Sequence, residues 1–286
     1  MHIILGATGH VGSAVAHALL DRGEPVTAVT RDGRKAEALA RRGAEVAVVD
    51  VRDVGALREV FRRGTRAFLL NPPADPSTDT VTEERRTVAA IAQAVAGSGL
   101  RKVVVQSTYG AQPGDGLGDL GVLYELEQAL AAQPVAVSVI RAAYYMSNWD
   151  MSLESARSEG KLHTFYPPQF KLPMVAPSDL GAAAARLLTE EVGHTGIRYV
   201  EGPARYSAAD VASEFAAALG RTVEAVEIPR TQWEETMRSI GFSPGAAASY
   251  ARMTAVTIDE AEKLPQAPER CPTTLGDYVR ALIAGR

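Results

Sequence analysis

The stretch His2-Ile3-Ile4-Leu5-Gly6-Ala7-Thr8-Gly9-His10-Val11-Gly12-Ser13-Ala14-Val15-Ala16 decides how the rest of the chain is read. A short apolar run ends in glycine, and a helical pattern starts near the third glycine. That order describes a strand, a tight turn and a helix N-terminus. In such a turn the first glycine lets the strand bend sharply, the second lets backbone approach a pyrophosphate, and the third lets helix and strand pack tightly. The N–H groups and positive dipole end of the helix favour a phosphate there. Gly6, Ala7, Thr8, Gly9, His10, Val11 and Gly12 are therefore candidate cofactor-binding residues. The spacing is one residue longer than G-x-G-x-x-G. The specificity comes from its context, directly after a strand and at a helix start.

The 286 residues suffice for a nucleotide-binding sheet plus a smaller second region. Hydrophobic content of 46% and charged content of 22% place the chain among ordinary globular proteins. A net charge of −4 supplies no general attraction to nucleic acid or an anionic membrane, so neither is expected as a partner. The apolar runs Val103-Val104-Val105 and Ala67-Phe68-Leu69-Leu70 are strand-sized and too short for a membrane span. The first strand runs straight into the glycine turn with no basic and apolar leader before it, so a cytoplasmic location is expected. The single cysteine, Cys271, excludes an intramolecular disulfide and reads as a packed or surface thiol. His163 and His194 have no second ligand at helical spacing, so no metal is expected.

The first helix spans about Ser13 to Arg22 and stops at Gly23, before a strand from Pro25 to Thr30. The end of this strand reads the adenosine ribose in dinucleotide-binding folds: an acid suits a free 2′-hydroxyl, an arginine a 2′-phosphate. Arg31 follows Thr30 directly, with Arg34 and Lys35 close behind, so NADP(H) is expected over NAD(H), with Arg31 and Lys35 in its site. Asp50 and Val51, after a strand from Glu45 to Val49, fall at the adenine, while Asp53 reads as the N-cap of a helix through Phe61. The strand from Arg66 to Leu70 ends in Asn71-Pro72-Pro73, prolines that stop the ladder and stiffen backbone near the nicotinamide half. The loop Ala74 to Asp79 is polar and expected to be mobile. A helix from about Val81 to Ala96 leads to a strand from Lys102 to Gln106, then to Ser107, Thr108 and Tyr109. The glycine-rich connection Gly110 to Gly121 reads equally as a lid or a loose link. A helix from Val122 to Ala132 carries Tyr124, and a strand from Val135 to Ile140 leads into Arg141-Ala142-Ala143-Tyr144-Tyr145-Met146-Ser147-Asn148-Trp149.

This alternation predicts an α/β fold, a Rossmann-type doubly wound parallel sheet with a ligand crevice at the carboxyl ends of its strands. Residues 1–150 are expected to form the NADP-binding domain. Residues 151–286 are expected to form a smaller mixed α/β substrate-binding region that contributes sheet elements back to the core. Its pattern predicts a helix capped by Ser178 or Asp179, a strand at Ile197 to Glu201 and a helix from Ser207 to Leu219 ending at Gly220. A strand at Val223 to Ile228 and helices near Thr231 to Ile240, Pro244 to Met253 and Thr274 to Ile283 complete it.

The glycine turn, Arg31, Asn71-Pro72-Pro73 and the Arg141 to Asn148 segment together resemble the NmrA-like branch of the atypical short-chain dehydrogenase/reductase superfamily, with NADPH-dependent quinone oxidoreductases nearest in feel. Pro177-Ser178-Asp179-Leu180-Gly181 and Gly202-Pro203-Ala204-Arg205-Tyr206-Ser207 extend the likeness over nearly the whole chain. The resemblance implies that Gly6 to Gly12 bind the pyrophosphate and Arg31 the 2′-phosphate, with Asp50 and Val51 at the adenine. It places Asn71, Pro72 and Pro73 with Ala142, Ala143, Tyr144 and Tyr145 along the nicotinamide, and Asn148 and Trp149 beside the substrate. The superfamily's usual chemistry uses a serine, a tyrosine and a lysine four residues on, the lysine lowering the tyrosine pKa. Ser107 stands at the serine position, where the resemblance implies contact with the cofactor, and Tyr124 lies on the matching helix, but Gln128 replaces the lysine. Ser107, Tyr109 and Tyr124 are the catalytic candidates; Tyr109, Tyr145, Met146, Asn148 and Trp149 are the substrate candidates.

The first expectation is an oxidoreductase moving hydride from NADPH to a quinone, enone or activated carbonyl, with a small molecule as its partner. The aromatic set Tyr144, Tyr145, Met146, Trp149, Phe165 and Tyr166 suits a flat ring. The alternative is a redox sensor that binds NADP(H) without turnover and reports to a regulatory protein partner. A homodimer is compatible with either.

Overall fold

The structure is a computed structural model that describes residues 1–261, 265 and 267–285. The first half alternates strand and helix: β1 (His2–Ile4), α1 (His10–Leu20), β2 (Val26–Thr30), α2 (Glu37–Arg41), β3 (Glu45–Val48), α3 (Val54–Arg62), β4 (Arg66–Leu69), α4 (Thr80–Val95), β5 (Lys102–Thr108), α5 (Asp119–Ala131) and β6 (Ala136–Ala142). The second half is mixed: β7 (Tyr144–Tyr145), α6 (Leu153–Ser158), β8 (Lys161–Thr164), β9 (Leu172–Val175), α7 (Pro177–Thr189), β10 (Gly196–Glu201), β11 (Arg205–Tyr206), α8 (Ala208–Leu219), β12 (Glu224–Glu227), α9 (Trp233–Ser239), α10 (Pro244–Asp259), β13 (Glu269–Arg270) and α11 (Leu275–Ile283).

An eight-stranded sheet runs in the order β3-β2-β1-β4-β5-β6-β10-β13. β1 pairs in parallel with both β2 and β4, so the winding direction reverses beside it, the point where doubly wound sheets open a ligand crevice. One sheet face packs on α1, α2 and α7 through residues such as Val15, Leu19, Leu39, Leu180 and Leu187. The other packs on α3, α4 and α5 through Leu57, Phe61, Ile91, Leu126 and Leu130. A third core, centred on Met146, Met174, Val211, Phe215 and Leu275, binds the C-terminal region together, while β10 and β13 extend the main sheet. The small sheets are β7-β9-β11 and β8-β12. No described helix is long and apolar enough to cross a membrane.

Several boundaries depart from the sequence pattern for identifiable reasons. The first helix starts at His10, with Gly9 extended as its N-cap, three residues before the expected Ser13. Residue 12 is already inside the turn that packs on β1: a Cβ there would lie 2.6 Å from the Gly6 carbonyl carbon and 3.0 Å from Leu5 O. β5 and β6 run past Gln106 and Ile140 because their ends pair with each other, Ser107 with Arg141 and Thr108 with Ala142. Neither Ser178 nor Asp179 caps α7. Its N-cap is Ala176 with proline at the first helical position, and the Asp179 carboxylate accepts from Thr273 N–H and Oγ1 at 3.0 and 2.8 Å. Asp53 caps α3 and Ser207 forms a capping box with Asp210, as their types predict. α10 continues six residues beyond Met253, and β7 and β8 have no counterpart in the sequence reading. Cys271 is buried, which pushes its thiol up to about 12.

Replacing Gly12 with alanine sets a methyl group against backbone that cannot yield. We expect a loss of about 2–3 kcal/mol and a drop of several degrees in thermal denaturation. Gly9→Ala, whose Cβ meets nothing closer than Gly6 O at 3.5 Å, leaves the melting temperature nearly unchanged.

Candidate active-site crevice

The glycine turn is stitched into the strand ends on both sides. Gly6 takes φ +62°, Gly9 N–H donates to Gly6 O at 2.9 Å, and Ala7 N–H donates to Val29 O at 3.3 Å. The Thr8 and Thr30 hydroxyls lie 3.3 Å apart, so the turn rests directly on the end of β2. α1 has no side-chain cap and no acid in its first turn. Its leading N–H groups, of His10, Val11 and Gly12, are left to partners outside the helix. Internal packing does not demand glycine at residue 9, where a side chain would project outward. A bare backbone surface at an uncapped helix start fits a pyrophosphate. Two open cavities also border His10. One of about 430 Å³ is shared with Ser13, His17 and Asp21, and one of about 610 Å³ with Asp150, Ser178 and Tyr278. Neither is lined by Asn71, Tyr144 or Tyr145.

Beyond Thr30, Asp32 caps a short 3-10 turn by accepting from Arg34 N–H at 3.1 Å and pairs with the Arg34 guanidinium at 3.3 Å. Arg31 and Lys35 are exposed and make no side-chain hydrogen bond or ion pair among the described residues. Two unengaged cations thus follow the end of β2, on which the glycine turn rests. Val51 is buried, and the Asp50 carboxylate accepts from Arg52 N–H at 2.9 Å in a local turn.

At the far side of the crevice, Asn71 and Pro72 are half-buried and Pro73 exposed, and Asn71 Oδ1 is buried without a hydrogen-bond partner. Ala142 and Ala143 are buried at the end of β6. Tyr144 sits among Trp149 and Tyr166, with ring centroids 6.0 and 5.6 Å away, and its hydroxyl hydrogen-bonds Asn148; burial pushes it up to about 12. Met146 and Trp149 belong to the third core, and Asn148 is exposed. Phe165 packs on Trp233, with ring centroids 6.2 Å apart.

Two connections described as loose in the sequence are fastened to α10. Ser243, its N-cap, donates to Pro76 O at 2.8 Å and Thr78 O at 2.7 Å, holding the loop Ala74 to Asp79. Arg252 donates to Asp115 O at 3.1 Å, holding the glycine-rich connection.

Ser107, Tyr109 and Tyr124 are not brought together. The Ser107 hydroxyl donates to Glu127 Oε1 on the α5 side of the sheet. Glu127 is paired twice with Arg141, at 3.0 and 2.7 Å, and Arg141 donates to the Tyr199 hydroxyl at 3.0 Å. Tyr109 packs on the opposite face with α1 and α7, its hydroxyl donating to the buried Glu201 carboxylate at 3.2 Å; burial, then the Glu201 charge, raises its pKa. Glu201 in turn lies 2.7 Å from Arg270. Tyr124 is half-buried and makes no side-chain hydrogen bond among the described residues, and Gln128 is exposed.

A second group was not anticipated. Glu84 is 6% exposed on α4, where its Oε1 accepts from Ala74 N–H at 3.0 Å, and it hydrogen-bonds the Asp119 carboxyl at the start of α5. Burial, then the Asp119 charge, pushes Glu84 up to about 7; burial raises Asp119 as well. The signal was present: Glu84 falls in register with the buried Thr87, Val88, Ile91 and Val95, a carboxyl on an apolar stripe.

The NmrA-like family model matches residues 2–264. The chain is 26% identical over 292 residues to an NAD(P)H azoreductase of Xenophilus azovorans, covering 99% of this chain and 98% of that protein. It is 31% identical over 233 residues to a (4-alkanoyl-5-oxo-2,5-dihydrofuran-3-yl)methyl phosphate reductase of Streptomyces griseus, covering 80% and 77%. Among solved structures, an NADPH-dependent quinone oxidoreductase of Escherichia coli complexed with NADPH superposes with a TM-score of 0.76 at 22% identity, covering 99% of this chain and 100% of that one.

Arg141→Met leaves Glu127 as an uncompensated buried charge. We expect a loss of about 3–5 kcal/mol in urea unfolding, most of it recovered when Glu127→Leu is added.

Proposed function

Because this chain belongs to the NmrA-like family, we propose that it is an NADPH-dependent reductase of a flat conjugated acceptor, a quinone or an activated enone or carbonyl. The observation that carries this reading is the glycine turn at the uncapped start of α1, with Arg31 and Lys35 unengaged beside it. The relatives named as an NAD(P)H azoreductase and an NADPH-dependent quinone oxidoreductase support the same reading.

In this reading the N–H groups of His10, Val11 and Gly12 hold the pyrophosphate, helped by the helix dipole. Arg31 and Lys35 take the 2′-phosphate, which only NADP(H) carries. When bound, the dihydronicotinamide supplies the hydride. Asn71 to Pro73 and Ala142 to Tyr145 border the nicotinamide, with the Asn71 amide free to bind a polar group. Tyr144 and Tyr145 wall the acceptor, and Asn148 and the Trp149 edge limit its size. Met146 backs this wall from the core. An electron-poor acceptor takes hydride without the tyrosine–lysine pair that ordinary alcohol dehydrogenation needs.

Substituting Arg31→Glu tests the 2′-phosphate assignment by titration. NADPH affinity falls about tenfold or more, a change of at least ~1.4 kcal/mol, while NADH affinity changes little; equal losses contradict it. NADPH oxidation against quinones, enones and aldehydes tests the activity. Tight NADPH binding with no oxidation of any acceptor favours the sensor reading, whose support is Ser107 committed to Glu127.

A further inference from the structure

A carboxyl pair that neither the fold nor the cofactor reading uses lies against the loop that follows β4. Two carboxyls in hydrogen-bond contact cannot both be ionised cheaply, so Glu84 and Asp119 hold one proton between them. Among the described residues, Ala74 N–H is the one backbone donor to the Glu84 carboxyl, leaving it without the several N–H partners that would make it a fixed anion. The Asp119 charge bears on the phenols of Tyr145 and Tyr250. Tyr145 belongs to the nicotinamide-side wall, and Tyr250 is 39% exposed, so the cluster reaches from the reaction space to solvent. A second, independent observation lies beside it. Ser249, 6% exposed, has a hydroxyl with no hydrogen-bond partner, 3.4 Å from where a Cβ on Gly118 would stand, one residue before Asp119. Asn71 Oδ1, in the loop whose Ala74 binds Glu84, is likewise buried and unpartnered.

The surrounding charges leave the pair uncompensated. Glu83 is neutralised by Arg52 and Arg86, at 2.8 and 2.6 Å, and Arg85 by Glu125 and Asp115, at 2.7 and 3.5 Å. Tyr145 and Tyr250 remain neutral because burial raises both. Among the described residues, no lysine, arginine or histidine contributes to the titration of either carboxyl.

We propose that Glu84 and Asp119 form a proton store for the reduced acceptor, taking the part that a serine, tyrosine and lysine play elsewhere. This rests on the reductase reading above. For a quinone, hydride addition leaves a hydroquinone monoanion. Its oxygen takes a proton from the Tyr145 hydroxyl as Tyr145 takes one from the carboxyl pair. The pair, left as two carboxylates, regains a proton from water on the Tyr250 side. The sum is one hydride and one proton delivered, with quinone reduced to hydroquinone and dihydronicotinamide oxidised.

The test has two readouts. Infrared titration of the ligand-free protein, following the protonated carboxyl band, should show one carboxyl titrating near neutral pH that is lost in Glu84→Gln and moves to lower pH in Asp119→Asn, where Glu84 stays buried without its charged neighbour. Single-turnover quinone reduction by the wild type should slow above that same midpoint. Glu84→Gln should be at least tenfold slower and flat across the range, and the Asp119→Asn rate should fall above the lowered midpoint, with NADPH affinity unchanged in both. Asp119→Asn leaves Glu84 and its Ala74 bond in place, so a rate profile that moves with the carboxyl midpoint separates proton supply from misfolding. Absence of a neutral carboxyl step, or variants with the wild-type rate and pH profile, overturns the proposal while leaving the reductase intact. Failure of the wild type to oxidise NADPH with any acceptor, despite the infrared step, removes the reductase reading and this proton store with it.

Discussion

The first turn of α1 lies against the Gly6 carbonyl, an approach that leaves no room for a Cβ at residue 12. The crevice is built outward from that contact. It forces the helix to begin at His10 instead of further along, and so aims three backbone N–H groups at the reversal between β1 and β4. The Thr8–Thr30 hydroxyl contact then brings the end of β2, and with it Arg31, beside the same turn. The uncapped helix start and the placement of Arg31 thus follow from one packing constraint, not from separately assembled features.

The chain spends its strongest buried electrostatics on holding the strand ends together. Ser107 and Tyr109 follow each other closely along β5 and its exit, yet they face opposite sides of the sheet. One is committed to Glu127, itself paired with Arg141, and the other to Glu201. A carboxylate and guanidinium this buried stabilise only as a pair, because each alone is costly to desolvate. With both hydroxyls engaged in this way, polar groups free for chemistry lie elsewhere, where α4, α5, β7 and α10 converge on Glu84, Asp119, Tyr145 and Tyr250. α10 links the two long connections through Ser243 and Arg252, which gives that convergence a fixed frame.

Much of this was legible in the residues, and the exceptions are instructive. The parallel sheet wound in both directions from β1 and the cap at Asp53 follow from periodicity and local side-chain chemistry. The helical pattern becomes clear only near the third glycine, which puts the start of α1 at about Ser13, whereas the helix begins at His10 and its first turn packs residue 12 on the Gly6 carbonyl. The N-cap of α7 was misread because Asp179 is drawn away by Thr273, 94 positions along the chain. The partners of Ser107 and Tyr109 depend on which face each side chain takes past the end of a strand, and β5 extended further than its apolar run. Glu84 was visible as a carboxyl on an apolar stripe, but its pairing with Asp119 required the tertiary fold.

The most direct measurement is amide hydrogen exchange with and without saturating NADPH. The account predicts slowing centred on Gly6 to Ser13, on Arg31 to Lys35 and on Asn71 to Ala74, with little change along the outer side of α7. Slowing concentrated elsewhere, or no change at concentrations that saturate a working NADP(H) site, would contradict it.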